Sequence, residues 1–570
     1  MRMPDGRLIL AACAAWLAAW PATGRSAPPE TRAAEVWFDD LAAPVELADA
    51  DGLALLRYAA ARVRGDKSPP AAPDRLRADR EPAMVFLSVS DGARPARVLI
   101  GAGRGLVEAV DRAVARASLF AGKVRWVKLD VVTSVLTFGP DRTDELRKIG
   151  PTRHGLAFER SDAPVLIPEV LTADPPPLAA LPLGKQAAYR FTTAGFFSDG
   201  EKDYPLFRGH RRGGAPEADA LLASAKLCGA YLARSVDAEG RFAYAYDAAK
   251  GRSSSEYNIL RHAGTVYAMM ELYELTRDEA LLAAGRRAQR YLLGTVRAAP
   301  DDPGAACVVE GDGFARLGGS ALAILALAKE VQATGDRKHM DTVVKLGRYV
   351  LSCQGPDGEF AVQKQAYPSG RASDIQSEYY PGEAMFALVR LAALDKEGRW
   401  LDAAERAAMY LIRVRDRDRV SHDHWQLYAL NELYRARPKE AYLRQAARIA
   451  DAIVKAQRRQ ADEPDWVGSF QSPPRSTPTS TRMEGVAAAY ALLRDFGSAQ
   501  DAKGMLESLQ RGVAYQLQLQ ILPESAMYMR DPAQSLGGVR GSFSTYEVRI
   551  DYVQHYLSAA LALRRVLTHK

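Results

Sequence analysis

Six loops in the C-terminal two thirds of this 570-residue chain combine side chains that exchange protons with side chains that bind anions. Histidine, glutamate and tyrosine serve as general acids and bases, and arginine forms charge-assisted bonds with carboxylates. The loops are SSSEYNILRHAG from Ser253, EGDGFARLGG from Glu310, DIQSEYYPGEA from Asp374, RVSHDHWQ from Arg419, TPTSTRMEG from Thr477 and SFSTYEVRIDY from Ser542. If the fold brings them together, they form one acid-base cleft.

The run His422-Asp423-His424 is the densest local cluster. An imidazole titrates near neutral pH and can therefore act as a general acid or base. We expect one histidine of this run to transfer a proton at a sugar carbon, with Asp423 as base or orienter. A zinc site would need further ligands, and no HExxH or matching His/Cys set occurs, so we predict no metal and no cofactor. The predicted catalytic residues are His424, Tyr380, Glu383 and Glu484.

The remaining loop residues are suited to sugar recognition. Aromatic faces pack against pyranose C–H surfaces, amides and carboxylates bind hydroxyl groups, and arginines bind uronate carboxylates. The predicted substrate-binding residues are Asn258, Arg261, His262, Arg316, Tyr379, Trp425, Arg482 and Asp551. Helix capping is an alternative for two acids, because Glu484 and Glu256 each follow a threonine or serine by three residues.

A repeated helical hairpin must position these loops. Related apolar motifs end the outer helices: GAYLA at Gly229, RYLL after Gln289, RYVL after Gly347, MYLI after Ala408, DAIV after Ala450 and AYQL after Val513. Partner helices with apolar stripes alternate with them, and tight turns at Leu275 and Ala333 force antiparallel neighbours. Six outer and six inner helices predict an (α/α)6 toroid over residues 215–570, with an open solenoid as the alternative.

The preceding residues 35–174 alternate helix and strand and predict an α+β domain. Its motifs are ALLRYAAARV at Ala54, FLSVSDG at Phe86, LVEAVDRAVARA at Leu106, VKLDVVTSVLT at Val127 and IGPTRHGLAFE at Ile149. In their order and in their amino-acid sequences, these motifs resemble the AMMECR domain. Where that family carries Arg-Gly-Cys-Ile-Gly, this chain has Arg97-Val-Leu-Ile-Gly101, which puts any cysteine-dependent chemistry in doubt. Residues 175–214, rich in proline and glycine, predict a linker with some packed aromatic residues, notably Phe191, Phe196 and Phe197.

The toroid resembles (α/α)6 carbohydrate-active enzymes, among them D-glucuronyl C5-epimerases, uronyl hydrolases and polysaccharide lyases, through inner helices such as YYPGEAMFALVRL and TRMEGVAAAYALL and through DGxF turns. The resemblance implies an enzyme of uronic-acid-containing poly- or oligosaccharides, acting by hydrolysis, β-elimination or C5 epimerisation. A non-catalytic module that binds a glycan or a protein is the alternative.

Residues 1–24 combine Arg2 and Arg7 with an apolar run and predict a secretory signal, hence a periplasmic or secreted protein. Lipid anchoring through Cys13 is the alternative. Cys228, Cys307 and Cys353 then remain, allowing at most one disulfide. The net charge of +7 is dispersed, so we expect an anionic or neutral glycan as partner, and neither nucleic acid nor a transmembrane span.

Overall fold

The computed structural model describes residues 36–41, 44–117, 123–142, 152–159, 165–173, 181, 185–211, 214–497 and 499–568. The chain divides into two compact units. Unit 1 runs to Arg211 and also includes Pro523–Ala533, and unit 2 comprises Arg212–Leu522 and Gln534–Lys570. The predicted signal segment 1–24, with Cys13, lies outside the described residues.

Unit 1 is built on a seven-stranded antiparallel sheet. Its strands are β1 (Pro82–Ser90), β2 (Arg97–Arg104), β3 (Trp126–Phe138), β4 (Gly155–Phe158), β5 (Ala188–Ser198), β6 (Asp203–Phe207) and β7 (His210–Arg211). Its helices are α1 (Asp49–Arg64), α2 (Asp74–Ala78), α3 (Leu106–Ala117) and α4 (Pro168–Ala173). The sheet order is β2-β1-β3-β5-β6-β7, and β4 also pairs with β5. Helices α1 and α3 bury their apolar sides on one face of the sheet.

The prediction of a linker over residues 175–214 is wrong for its second half. Strand β5 pairs with β3 from Ser198 to Ala188, and β6 and β7 extend the sheet beyond it. Phe191, Phe196 and Phe197 are buried in the sheet. The prolines and glycines at the two ends of the segment indicate a loop, although the residues between them have a strand pattern. The first unit therefore reaches Arg211 instead of residue 174.

Unit 2 contains twelve long helices in its described residues. The outer helices are α5 (Ala218–Ser235), α7 (Glu279–Leu293), α9 (Met340–Ser352), α11 (Arg399–Tyr410), α13 (Glu440–Ala456) and α15 (Ala499–Leu517). The inner helices are α6 (Ile259–Thr276), α8 (Leu317–Thr334), α10 (Tyr380–Leu394), α12 (His424–Ala436), α14 (Ser476–Phe496) and α18 (Ile550–Thr568). Two short helices precede α18 in the sequence: α16 (Pro523–Ala526), which belongs to unit 1, and α17 (Pro532–Ser535), whose residues divide between the two units.

The inner helices form a closed ring. Each packs against two inner neighbours in the order α6, α8, α10, α12, α14 and α18, and α18 packs against α6. Helix α18 also packs against α5, so the last long helix lies beside the first two, as predicted from the unpaired ends of the pattern. These contacts contradict the open-solenoid alternative.

Residue patterning separates the two layers. Inner helix α8 is buried around almost its whole circumference, whereas outer helix α9 buries a single face. Gly347 of α9 allows the layers to approach closely, because a Cβ there would lie 2.4 Å from a methyl of Leu391. The hairpin turn between α6 and α7 places Arg277 in the left-handed region, with φ of 55°.

Short strands decorate the ends of the helices: β8 (Ala245–Asp247), β9 (Arg252–Ser253), β10 (Val296–Ala298), β11 (Ala306–Val308), β12 (Phe314–Arg316), β13 (Lys364–Ala366) and β14 (Glu547–Arg549). Strand β14, just before α18, pairs with β8, just after α5. The residues at the start of the last inner helix are therefore tied to the start of the toroid.

The three cysteines of unit 2 are free and buried. Burial raises the pKa of the Cys307 thiol to about 11 and that of Cys353 to about 12. They are consequently protonated packing residues. Across the described residues, no helix combines the length and the hydropathy needed to cross a membrane.

Candidate active site

Two histidines and a glutamate from three inner helices meet inside the ring. His424 is the first residue of α12, Glu484 lies in the third turn of α14, and His555 lies in α18. One ligand-type atom from each of the three lies within 4.8 Å of the others. Helices α12 and α18 are not neighbours in the ring, so the contact between their histidines, with ring centroids 5.5 Å apart, crosses its interior.

His424 is a buried imidazole without a hydrogen-bond partner. It is 3% exposed, and neither of its ring nitrogens has a partner among the described residues. Burial, with His555 and Arg482 nearby, holds the pKa of His424 well below its usual range. The ring is therefore neutral at physiological pH and has a lone pair available to accept a proton.

Glu484 orients the second imidazole. Its Oε1 accepts a hydrogen bond of 2.7 Å from Nδ1 of His555, and its Oε2 accepts one of 3.1 Å from the hydroxyl of Tyr428. With Nδ1 bound to the carboxylate, Nε2 is the ring nitrogen of His555 that remains to take up or give a proton. The capping alternative for Glu484 is wrong, because α14 begins at Ser476 and the carboxylate is bound by side chains of other inner helices.

Glu383 is a second buried carboxyl group, in the first turn of α10. Its Oε2 has no partner among the described residues, and a Cβ on Gly318 of α8 would lie 2.3 Å from that atom. Burial raises the pKa of Glu383 to about 8, and the neighbouring Asp423 carboxylate adds to the shift. Glu383 is thus protonated at neutral pH and able to donate.

The structure places Tyr379, and not Tyr380, beside His424. The Tyr379 ring lies 6.1 Å from that of His424, whereas the Tyr380 ring lies against Gly318 and Glu383. Burial raises the pKa of Tyr380 to about 12, with the Glu383 carboxyl contributing. Successive residues at a helix start project about 100° apart, so two adjacent tyrosines serve different neighbours. Tyr380, which the sequence predicts as a catalytic residue, therefore lies with Glu383 and not with His424.

Arg482 is a partly buried cation without a carboxylate partner. Its Nε donates to Nδ1 of His422 at 3.2 Å, its Nη1 donates to the backbone oxygen of Pro478, and its guanidinium lies 4.9 Å from the Phe470 ring. Among the described residues it forms no salt bridge. Burial lowers the pKa of Arg482, and its charge helps to lower the pKa of His424. Arg482 is accordingly the arginine best placed to bind an anion near His424.

The other predicted arginines are neutralised within the protein. Arg316 pairs with Glu310 at 2.9 Å and with Asp312 at 2.6 Å. Arg261 pairs with Asp551 at 3.4 Å, which joins the start of α6 to the start of α18. These pairs organise the rim, and they leave Arg482 as the predicted arginine with an unmatched charge.

Asn258 and Asp551 also have partners in the protein. The side chain of Asn258 caps α6 by accepting from the backbone N–H of Arg261 at 3.0 Å. Both carboxylate oxygens of Asp551 accept from Arg549, at 2.5 and 2.8 Å. Both residues therefore have structural roles at the rim.

His262 and Trp425 are corrected from substrate contacts to core residues. His262 is fully buried, with Nδ1 bonded to the Tyr257 hydroxyl at 2.7 Å and Nε2 to the backbone oxygen of Ala288 in outer helix α7 at 2.8 Å. Trp425 is 3% exposed and packs against the rings of Phe386 and Tyr428. Both side chains stabilise the toroid.

Acidification is expected to destabilise the protein through His262. Burial lowers the pKa of His262 to about 4, from an ordinary value of 6.5. Between these values the unfolded chain takes up a proton that the folded chain does not, so stability present above pH 6.5 is lost as the pH falls, by about 1.4 kcal/mol per unit. Urea denaturation at pH 7 and pH 5 should show a weaker dependence in His262→Gln than in wild type.

The partly exposed His339, at the start of α9, provides the matched control for that measurement. The substitution His339→Gln should reduce the pH dependence less than His262→Gln does. Equal pH dependence in wild type and His262→Gln would contradict the assignment.

Asp423, at the centre of the His-Asp-His run, has a structural role. Asp423 caps α12 through the backbone N–H groups of Trp425 and Gln426 and pairs with Arg415 at 3.4 Å, although burial raises its pKa to about 7. Within the described residues, the group whose composition suits a cation is His424, Glu484 and His555. Both oxygens of Glu484 are already hydrogen-bonded, so a metal would have to displace His555 or Tyr428.

Two site residues were not predicted from the sequence, His555 and Tyr428. Both lie within inner helices, whereas the predicted residues came from the loops that precede those helices. Helical spacing contains the missing signal: His555 follows Asp551 by four residues, and Tyr428 follows His424 by four. Residues four apart share a helix face, so the inward face continues from the rim into the ring.

No family model and no curated protein matches this chain. Among solved structures it is similar to the α-1,6-mannanase GH76A of Salegentibacter sp. HEL1_6, with 11% identity over 61% of this chain and 99% of that chain and a TM-score of 0.44.

Two further solved structures show a similar degree of likeness. The cellobiose 2-epimerase from Spirochaeta thermophila DSM 6192 has 14% identity over 61% of this chain and 97% of that chain, with a TM-score of 0.43. An unsaturated glucuronyl hydrolase specific for heparin has 12% identity over 61% and 98%, with a TM-score of 0.43. At these scores the similarities assign neither a family nor an activity.

Proposed function

We propose that this protein is a carbohydrate-active enzyme that transfers protons at a uronic acid residue of a poly- or oligosaccharide, with His424 and His555 as the acid-base pair. One observation carries the proposal: a buried imidazole with two unpartnered nitrogens faces a second imidazole that a carboxylate orients. Proton-transfer sites need a group of this kind, held in position and free of competing hydrogen bonds.

The spacing of the two rings favours β-elimination over epimerisation. Epimerisation needs one base on each face of the sugar ring. Two imidazole rings with a sugar between them must be at least about 7 Å apart, because each ring needs one van der Waals separation from the sugar. The His424 and His555 centroids are 5.5 Å apart and edge to face. The pair therefore acts from one face, on adjacent atoms of the substrate.

In this reaction neutral His424 takes the proton from C5 of the uronate, and the C–H electron pair forms the C4–C5 double bond as the C4–O bond breaks. His555, held by the Glu484 carboxylate, delivers a proton to the departing oxygen. Negative charge develops on the uronate carboxylate during proton removal. Arg482, whose charge acts on His424 and which forms no salt bridge among the described residues, supplies the electrostatic stabilisation.

The test is a panel of uronate-containing polysaccharides with three readouts: absorbance of unsaturated products, reducing ends, and solvent deuterium at C5. We expect absorbance and reducing ends to rise together, with no loss of rate after treatment with EDTA. Deuterium incorporation without absorbance would replace elimination by epimerisation. A rate abolished by EDTA and restored by a divalent cation would replace the imidazole roles by a metal site at the same residues.

Hydrolysis is a second candidate, and Glu383 is the observation that favours it. A carboxylic acid that stays protonated at neutral pH is the group that donates to a glycosidic oxygen. Hydrolysis would release reducing ends without absorbance. Absence of every signal, from folded protein on every polymer, would favour the non-catalytic glycan-binding alternative.

Export belongs to the same proposal and rests on residues 1–24. Sequencing the N-terminus of protein recovered from cells should give a start near Arg25. A lipid-modified Cys13 would instead show that the chain is membrane-anchored.

A further inference from the structure

A cavity of about 770 Å³ opens to one side of the two histidines. Its walls come from the start of α10, the end of outer helix α11, the loop 419–422 that precedes α12, and Arg482 of α14. It is large enough for a ligand of several rings. Neither His424 nor His555 lines it, so the cavity is additional to the proton-transfer site.

An irregular helix end shapes the cavity wall. Helix α11 continues as a π-helical turn over Leu411–Arg415, a geometry that is rare and frequent at functional sites. Arg415 emerges from this turn and bonds both oxygens of Asp416, at 2.8 and 3.0 Å, and Oε1 of Gln426 at 2.8 Å. The turn is thereby fixed to α12, and the wall is preformed.

The cavity lining is balanced in charge. Three arginines and three carboxylates line it: Arg415, Arg419, Arg482, Glu359, Glu378 and Asp416. Burial and the neighbouring Glu359 carboxylate raise the pKa of the Tyr410 hydroxyl, and Glu378 accepts from the Ser421 hydroxyl at 2.5 Å. Sugar hydroxyls both donate and accept, so a lining with both signs and no net charge suits a neutral sugar better than an anion.

Two residues connect this cavity to the reaction centre. Tyr379 lines the cavity with a ring that is 42% exposed and lies 6.1 Å from that of His424. Arg482 lines it as well, and its charge influences His424. An exposed tyrosine ring is a stacking surface for a pyranose. A sugar in the cavity would therefore be within one glycosidic linkage of the reacting unit.

We infer that this cavity is a subsite for a neutral sugar linked to the reacting uronate, so that the substrate is an oligo- or polysaccharide of mixed neutral and acidic units. The inference rests on the proposed function. It assigns Tyr410 and Glu359 to substrate specificity, because they line the cavity away from the histidines.

Binding is tested first, without any requirement for turnover. Saturation-transfer NMR with neutral disaccharides, their monosaccharides and glucuronate should show the disaccharides binding most tightly to the wild-type chain. Tyr410→Ala should weaken their binding about fivefold to tenfold, the loss expected for one or two contacts, and Tyr410→Phe should weaken it less. The matched control is Tyr434→Ala, in the last turn of α12 and outside the cavity, which should leave binding unchanged.

Kinetics then separate the two proposals. If the polysaccharide panel is turned over, Glu359→Ala should raise KM for mixed oligosaccharides with little change in kcat. Turnover with a KM that Glu359→Ala and Tyr410→Phe leave unaltered would overturn the subsite and retain the proposed function. Disaccharide binding that depends on Tyr410, without turnover of any polymer, would retain the subsite and overturn the proposed function. Preferential binding of glucuronate in the cavity would overturn the neutral-sugar assignment.

Discussion

Replacing His424 with alanine is expected to lower turnover by ~10²–10⁴, the usual contribution of a proton-transfer group. The same change should leave thermal stability nearly intact. The imidazole is buried without a hydrogen-bond partner, so its removal eliminates the free-energy cost of a desolvated polar group. The removal also creates a small cavity, and the cost of that cavity offsets the gain in stability. The measurement is kcat on the best substrate of the uronate panel, together with the melting temperature.

His555 provides the second half of this experiment. His555→Ala should cause a loss of similar size, and the double variant should lose little more than either single one, because the two residues act as a unit. His339→Ala, in the outer layer, should leave kcat unchanged. Full turnover in His424→Ala would exclude the proposed mechanism.

Replacing Glu383 with glutamine is expected to stabilise the protein in alkaline solution. The folded-state pKa of Glu383 is about 8, above its ordinary value of 4.5. The carboxyl group therefore favours folding fully below pH 4.5, and this stability is lost as the pH rises through 8. Glutamine keeps the shape and never ionises, so the variant should gain stability of the order of 4 kcal/mol at pH 8.5 and about none at pH 4.5.

Urea denaturation of wild type and Glu383→Gln at the two pH values measures this difference. Glu397→Gln serves as the control, because Glu397 pairs with Arg399 at the surface and its replacement should have no comparable effect. A gain at pH 8.5 no larger than at pH 4.5 would contradict the raised pKa. A parallel fall in kcat at neutral pH would assign Glu383 to the acid step of hydrolysis.

The sequence allowed the toroid to be predicted because its signal is repeated. Twelve helices with apolar stripes, short turns and an unpaired helix at each end all indicate closure, and the contact of α18 with α5 and α6 follows from them. Strand β5 was missed because a single strand between proline-rich and glycine-rich segments has no repeat to support it. The toroid was predicted and β5 was missed because the helical pattern is repeated and the strand pattern occurs once. The difference between helix and strand matters less.

The candidate site was less predictable than the fold. The composition of the loops indicates which residues lie at the rim, but it does not indicate where each side chain points. His262 and His424 both lie at the starts of inner helices, yet His262 bonds the backbone of outer helix α7 and His424 contacts His555 inside the ring. Glu484 was predicted from its loop motif, and the structure places it in the third turn of α14. His555 lies one helical turn after Asp551, inside α18, so the composition of the loops does not indicate it.

The contact between α18 and α6 has a consequence for the timing of activity in the cell. Translation delivers α18 after the other eleven long helices, and His555 and Asp551 emerge with it. A nascent chain halted before that point contains His424 and Glu484 but lacks the imidazole they face, and Arg261 lacks its carboxylate. Under the proposed mechanism, proton transfer by the pair therefore begins only once α18 has closed the ring. A product terminated before α18 would be inactive, however well its earlier hairpins have folded.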